Sequence, residues 1–428
     1  MTATSLIFAG LGSRQASATM QRAKVADEFV DSIGVMTHQS FFNSAYGNYQ
    51  AVSDKLVALG VRHARDSATL SSDADYNRKV YDRFKGLADR GVRYNLIVDP
   101  RSPGLANIDR AKMDSIIAHS GGALEVVEGP NEFDVRGGTD WADRLRSYQR
   151  SLYESVKASS KPVPVLAPSF VYATSYDKLG DMSAYCDFGN MHPYPGGRNP
   201  GTSGWGSGGY GSLSWNAANA RKVCGTKPLI VTETGYHNLP GPLGTDSNTG
   251  VPEEISGKYI PRLFLHYYDR GLPRTYEYEM VDLNADPSKS AWGKHWGLLR
   301  SDYSEKPAYV ALKRLIGLLS DPGPTFAPGS LDYSLSGDLT NVSRMLFQKR
   351  DGRFYLVLWQ EVLGYDVDKD TYISVAPRRV TLKLSTPIFE AAVYEPNRQA
   401  TPLRSYSKPT ELLLQVSDRI VVIKLALK

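Results

Sequence analysis

The sequence predicts an α/β chain, a (β/α)8 TIM barrel followed by a smaller antiparallel β-sandwich domain. Three observations predict it. Eight strand-like runs alternate with amphipathic stretches between Ile33 and about residue 320. Several of those runs are almost continuously apolar, as in Leu229-Ile230-Val231 and Val163-Pro164-Val165-Leu166, which is how strands covered on both faces read. Beyond Thr325 the helical spacing stops, and short strands separated by turn residues take over. A doubly wound open sheet is the alternative for the first part, but it should carry a Gly-rich phosphate turn after its first strand. Residues 34–47 carry none.

The eight runs are Ile33–His38, Gly60–Ser67, Val92–Pro100, Leu124–Glu132, Val163–Phe170, Phe188–Pro195, Pro228–Gly235 and Thr275–Asp282. Between them, Tyr49–Leu59, Asp75–Arg90, Arg110–His119, Trp141–Ala158 and Glu254–Arg270 space apolar residues three and four apart, the helical period. The barrel is expected over residues 30–320 and the sandwich over 325–428, with a further strand for the sandwich from 20–29. The Pro/Gly-rich stretch Asp321–Gly329 is the junction. Sandwich strands are expected at Val342–Gln348, Phe354–Trp359, Arg379–Leu384, Ile388–Tyr394, Glu411–Val416 and Arg419–Leu427.

Composition narrows the function classes. Of 428 residues, 41% are hydrophobic and 22% charged, which suits a chain with a large core. The excess of 50 Lys and Arg over 45 Asp and Glu is +5, without a basic cluster, so no nucleic-acid partner is expected. No apolar run approaches membrane length, so no membrane insertion is expected either. The 26 Tyr and 6 Trp supply the flat rings that stack on sugar faces.

Met1 to Ala18 pairs a short apolar patch, Leu6 to Leu11, with a small-x-small ending, Ala16-Ser17-Ala18. It reads either as the tail of a truncated secretory signal or as a disordered start. The first reading puts the protein outside the cell or in the envelope. Cys186 and Cys224 precede strands six and seven by similar offsets. They are either a disulfide, which would accord with export, or two buried thiols.

The chemistry is expected at two strand ends. In a (β/α)8 barrel, reactive side chains project from the C-terminal ends of the strands. Strand four closes on Gly129-Pro130-Asn131-Glu132 and strand seven on Val231-Thr232-Glu233-Thr234-Gly235. Two glutamates thus share one rim across the barrel. A carboxylate pair is the minimum equipment for cleaving a glycosidic bond: one protonates the leaving oxygen while the other attacks or stabilises the anomeric carbon. A Glu that closes a buried apolar strand needs partners to offset its desolvation. The seven histidines form no His-Glu-x-x-His or His-x-His pair, so neither a metal nor another cofactor is expected.

These two motifs resemble those of the retaining glycoside hydrolases of clan GH-A. The layout of barrel plus C-terminal β-domain is most similar to the family 39 β-xylosidases and their exopolysaccharide-cleaving relatives. The resemblance runs through the eighth helix, where Trp296-Gly297-Leu298-Leu299 and Lys306-Pro307-Ala308-Tyr309 match a typical clan ending. It implies Glu132 as general acid/base and Glu233 as nucleophile, with Asn131 on the sugar 2-hydroxyl. It also implies Arg65 beside the nucleophile, Tyr194 donating to it, and His192 beside the acid/base or the substrate. Two departures stand out. Phe133 follows the acid/base where clan members often have Pro, and strand eight reads Tyr276-Glu277-Tyr278-Glu279-Met280 where many carry a Trp platform. Tyr278, Trp292 or Trp296 is then the platform, and Glu277 or Glu279 the group that meets a hydroxyl or amino group of the sugar.

Asp99 closes strand three and either binds substrate or pairs with Arg101. Gly196–Trp215, rich in Gly and Ser and carrying Trp205, Tyr210 and Trp215, reads as a long loop at the same rim, a lid or an extra sugar subsite. The expectation is a monomeric, secreted, retaining glycosidase that degrades a poly- or oligosaccharide. A barrel that only binds sugar, and a transglycosylase using the same glutamates, are the alternatives.

Overall fold

The computed structural model describes residues 19–241 and 249–427; the segment 1–18, read above as a leader or a disordered start, lies outside them. Eight parallel strands form the barrel: β1 Ile33–Met36, β2 His63–Ser67, β3 Arg93–Ile97, β4 Leu124–Glu128, β5 Val165–Leu166, β6 Gly189–Met191, β7 Leu229–Thr234 and β8 Thr275–Glu277. Their order is 5-4-3-2-1-8-7-6. A parallel bridge between Leu166 and Phe188 brings β5 and β6 together and closes the ring. Inside, Leu166, Ile230 and Tyr276 form a small apolar plug with Val126 and Phe188.

Several runs expected as longer strands stop early, and proline is one reason. Pro lacks the N–H a ladder needs. Pro164 and Pro168 bracket β5, and Pro193 and Pro195 follow β6, where the amide of Tyr194 turns back to the carbonyl of His192 at 3.1 Å. Past Glu277 the chain leaves β8 and pairs with the segment around Leu299.

Helices Tyr49–Leu59, Ala74–Ala88, Arg110–Ser120, Trp141–Lys157, Leu213–Cys224, Glu253–Asp269 and Pro307–Leu319 surround the ring. Short polar side chains start four of them: Asn48, Asp73, Asp109 and Ser212 each accept from an amide in the first turn, replacing a bond the helix cannot supply itself. Ser212 ends the long loop three residues sooner than its composition suggests, so Trp215 lies in the first turn of a helix. Cys186 and Cys224 are both buried as free thiols. Cys224 closes that same helix and packs its sulfur against Gly189.

Two antiparallel sheets follow the barrel. One contains Ser330–Gly337, Arg378–Leu384 and Glu411–Val416, and Thr19–Arg22 pairs along its edge. The other contains Val342–Gln348, Phe354–Gln360, Ile388–Tyr394, Arg404–Ser407 and Val421–Leu427, with Lys24–Val25 alongside in parallel. Their facing side chains, among them Leu331, Leu356, Leu382, Leu412 and Ile423, make a second apolar core. Ser330–Gly337 and Arg404–Ser407 escaped the sequence reading. Both are strands of mixed polarity with exposed residues, and they lack the apolar density that marks the others.

Candidate active site

Beneath the rim lies a polar layer that the apolar appearance of the strands conceals. Glu128, the last residue of β4, is fully buried. Its carboxylate accepts from Arg65 Nε and Nη2 at 2.8 and 2.7 Å, Asn95 Nδ2 at 2.7 Å, Asn190 Nδ2 at 3.0 Å and Thr232 Oγ1 at 3.0 Å. These donors come from β2, β3, β6 and β7, so one buried anion ties five strands together. Buried charge is tolerated only when so completely hydrogen-bonded.

Arg65 passes this order up to the rim. It gives Nη1 to Glu233 Oε1 at 2.5 Å and Nη2 to Asn131 Oδ1 at 2.7 Å. With no exposed surface, Arg65 lies beside Glu233, where the resemblance implies it, and holds its neighbours while offering nothing to a ligand. Asp66 does not pair with it; that carboxylate accepts instead from Thr37 and from the amides of Gln39 and Ser67.

Glu233 receives a second donor, the Tyr194 hydroxyl on Oε2 at 2.9 Å. Burial alone would raise its pKa, but nearby His192 and Arg65 outweigh burial and hold it below its ordinary value. Glu132 is more open, with 29% of its side chain exposed against 9% for Glu233. Its backbone adopts a left-handed conformation, φ 44°, which costs a non-glycine residue about 1–3 kcal/mol and recurs at functional sites. Its amide donates to the Ser169 carbonyl at 3.1 Å. Phe133, where a Pro was expected, is buried with the guanidinium groups of Arg101 and Arg144 over its ring at 5.2 and 5.5 Å.

His192 bridges the two sides. Nδ1 meets Glu132 Oε1 and Nε2 meets Thr232 Oγ1, both at 2.9 Å. Burial pushes the imidazole down, but the charge of Glu233 and the hydrogen bond to Glu132 prevail and its pKa is raised. One atom each of Glu132, His192 and Glu233 lie within 4.8 Å of one another. Three such groups are a conceivable cation site, but here Arg65, Tyr194 and Thr232 already engage Glu233 and the His192 ring.

Two cavities adjoin at Glu132, Glu233 and Tyr278. The first, of about 340 Å³, is polar; His38, Asp66, Ser67, Asp99, Arg101 and Asn131 line it. Asp99 pairs with Arg101 at 2.6 Å and accepts the Asn131 amide at 3.1 Å while it lines this cavity. The second, of about 420 Å³, is walled by Trp205, Tyr210, Trp215, Trp292 and Trp296 together with Tyr194. Trp296 stands edge-on to Tyr194, Tyr278 and Trp292 at 5.1, 5.7 and 6.0 Å. Glu279 does not reach either space. It is fully buried beneath His38, 3.1 Å from Nε2, and burial raises its pKa against the pull of that histidine. Glu277 is likewise buried, against Gly235. The sugar contact expected of this glutamate pair is therefore not formed by their placement; they face inward because strand β8 and the chain after it turn under the rim.

Sequence reasoning missed Glu128, Asn95, Asn190 and His38. Asn95 and Asn190 each stand as a lone amide in a barrel strand, a faint local signal. Glu128 shares its strand with Glu125 and ends it, so nothing local sets it apart.

The fold and this rim define a class, a (β/α)8 barrel with paired glutamates on β4 and β7 and a β-sandwich behind. No family model and no curated protein sequence matches the chain. Solved structures do. A family 39 glycoside hydrolase from Bacteroides cellulosilyticus WH2 superposes with TM-score 0.62 at 16% identity, over 94% of this chain and 82% of that one. The GH39 enzyme from Xanthomonas axonopodis pv. citri gives 0.61 at 15% identity, over 98% of this chain and 100% of its own. A monomeric β-xylosidase from Caulobacter crescentus CB15 gives 0.61 at 12%, over 95% and 98%. At such identities the likeness is one of fold.

Proposed function

We propose that the protein is a retaining glycoside hydrolase of clan GH-A type. One observation carries the reading: a carboxylate oxygen from each of Glu132 and Glu233 lies within 4.8 Å of the other. Retaining enzymes hold their carboxyl groups about 5–5.5 Å apart, while inverting ones leave about 6.5–9.5 Å for a water. Glu233, kept ionised by His192 and Arg65 and bonded by Tyr194, attacks the anomeric carbon. Glu132, the more accessible of the two, gives its proton to the departing oxygen, then takes one from the water that releases the sugar. His192 orients Glu132 through Nδ1.

The two cavities support an orientation of the substrate. A sugar under attack needs hydroxyl partners, which the polar side supplies, and Asn131 on that side suits the 2-hydroxyl. The aromatic side then takes the leaving group, since ring faces stack on sugar faces without demanding one set of hydroxyls. The fold shared with family 39 enzymes agrees with this reading.

The test is product release from a panel of polysaccharides and aryl glycosides by wild type and Glu233→Gln. Release by wild type alone supports the reading and names the sugar. Equal release by both assigns the chemistry to another residue, and binding without release by the wild type turns the reading into a sugar-binding barrel.

A further inference from the structure

The aromatic side of the cleft is built on a loop, and the loop is not held by the barrel alone. Trp205 lies edge-on to Tyr210 at 5.2 Å and Tyr210 to Trp215 at 4.7 Å. The amide of Trp205 donates to the Tyr210 carbonyl at 2.9 Å. A Cβ at Gly211 would fall 2.1 Å from the Trp205 ring, so only glycine there lets the ring lie against the backbone. The Arg198 guanidinium sits over the other end of this wall, 4.5 Å from the Trp205 ring centre.

Between Arg198 and Trp205 runs a tight turn in which the Thr202 amide donates to the Asn199 carbonyl at 3.0 Å. A carboxylate from the β-sandwich grips that turn. Glu361, just past the strand Phe354–Gln360, accepts on Oε1 from Asn199 Nδ2 at 2.7 Å and from the Gly201 amide at 3.0 Å. Arg262, fully buried on helix Glu253–Asp269, donates to the same oxygen at 2.7 Å. Trp359 Nε1 donates to Oε2 at 2.8 Å. A Cβ at Gly201 would stand 2.6 Å from Glu361 Cγ, so the turn is shaped to admit this side chain. The Glu361 amide is itself bonded to the Asn341 carbonyl at 2.9 Å, which fixes it to the sandwich.

We propose that Glu361 is a positioning residue for the leaving-group side of the cleft. It holds the 199–202 turn, and through it the wall of Trp205, Tyr210 and Trp215 that receives a carbohydrate leaving group. The proposal rests on the functional reading above and deepens it: the sandwich sets which leaving groups are accepted, without touching the sugar that is attacked. A glycosyl fluoride separates the two sides, because fluoride departs without occupying the aromatic wall.

The experiment compares kcat and KM for the oligosaccharide that the wild type cleaves with those for the fluoride of the same sugar. Glu361→Ala should lower kcat/KM on the oligosaccharide about tenfold to a hundredfold, the cost of a small misplacement of binding groups, and shift the fluoride far less. Glu361→Gln keeps an acceptor oxygen for Asn199 and Gly201 but turns its amide toward Trp359 Nε1 and leaves Arg262 without a countercharge. It should recover part of the loss on the oligosaccharide and again shift the fluoride far less. Asn199→Ala, which releases the same contact from the barrel side, should lower the oligosaccharide in the same direction. Lys258→Ala breaks a different contact between the two parts of the chain, Lys258 to Asp418 at 2.7 Å, and should leave the ratio of the two substrates unchanged. Equal loss on both substrates in Glu361→Ala, or the same ratio change in Lys258→Ala, would overturn the proposal while the functional reading stands. A wild type that cleaves neither substrate overturns that reading and this one together.

Discussion

The two sides of the cleft are made differently. The polar side is assembled from strand ends and the residues just past them: Asp66 on β2, Asp99 after β3, Asn131 after β4. Asn131 is fixed by Arg65 from the buried layer, Asp99 by the Asn131 amide and Arg101, and Asp66 by Thr37 and the amides of Gln39 and Ser67. The aromatic side is assembled from the connections after β6 and β8, and ring packing and a reach across to the sandwich hold it. The difference teaches where tolerance lies. Charge that has been desolvated must keep its partners, whereas stacked rings lose area gradually as they shift.

The largest effect expected is on chemistry. Glu233→Gln should cut kcat by about 10⁴-fold or more, as loss of a nucleophile does, for oligosaccharide and glycosyl fluoride alike. Glu132→Gln should cost about 10²–10⁴-fold on substrates whose leaving oxygen needs a proton. It should cost far less in the first step with fluoride. If both variants fail equally on fluoride, the division of roles is wrong.

Next comes stability. Arg65→Met leaves Glu128 and Glu233 buried without their cation, and should lower unfolding free energy by about 3–5 kcal/mol in urea titrations. Trp292→Ala, on the aromatic side and 38% exposed, should raise KM for oligosaccharide about tenfold with kcat nearly kept, in line with loss of uniform binding, and leave the urea midpoint in place. An Arg65 variant as stable as wild type would erase the contrast between the two sides.

The smallest effects are those of pH on stability. Glu233 is held below its ordinary pKa of 4.5, so its contribution is present above pH 4.5 and is lost as pH falls through the depressed value. His192 is raised above 6.5, so its contribution is complete below pH 6.5 and is lost as pH rises through the elevated value. Melting curves should therefore flatten on the alkaline side in His192→Asn and on the acid side in Glu233→Gln. Unchanged slopes would mean that neither charge is linked to folding.

Much of the barrel was legible because alternation of apolar strands and amphipathic helices is a long-range periodic signal. The glutamates were legible because each ends an apolar run. The polar layer was not: Glu128 sits one residue past Val126-Val127 and reads as the solvated end of a strand until Arg65, Asn95 and Asn190 converge on it from other strands. Glu279 misled for the opposite reason. Its register on strand eight resembles that of a rim residue, but the chain beyond Glu277 turns toward Trp296 and buries it under His38. The grip of Glu361 on the 199–202 turn joins residues 160 or more positions apart, which no local pattern encodes.

The most direct test of the central claim is covalent trapping. Once the panel has named the sugar, wild-type protein is incubated with its 2-deoxy-2-fluoro glycosyl fluoride and weighed intact, then digested. The account predicts a mass gain of one fluorosugar, carried by the peptide containing Glu233 and absent from Glu233→Gln. Turnover of the parent substrate with no adduct, together with a product of inverted anomeric configuration, would contradict it.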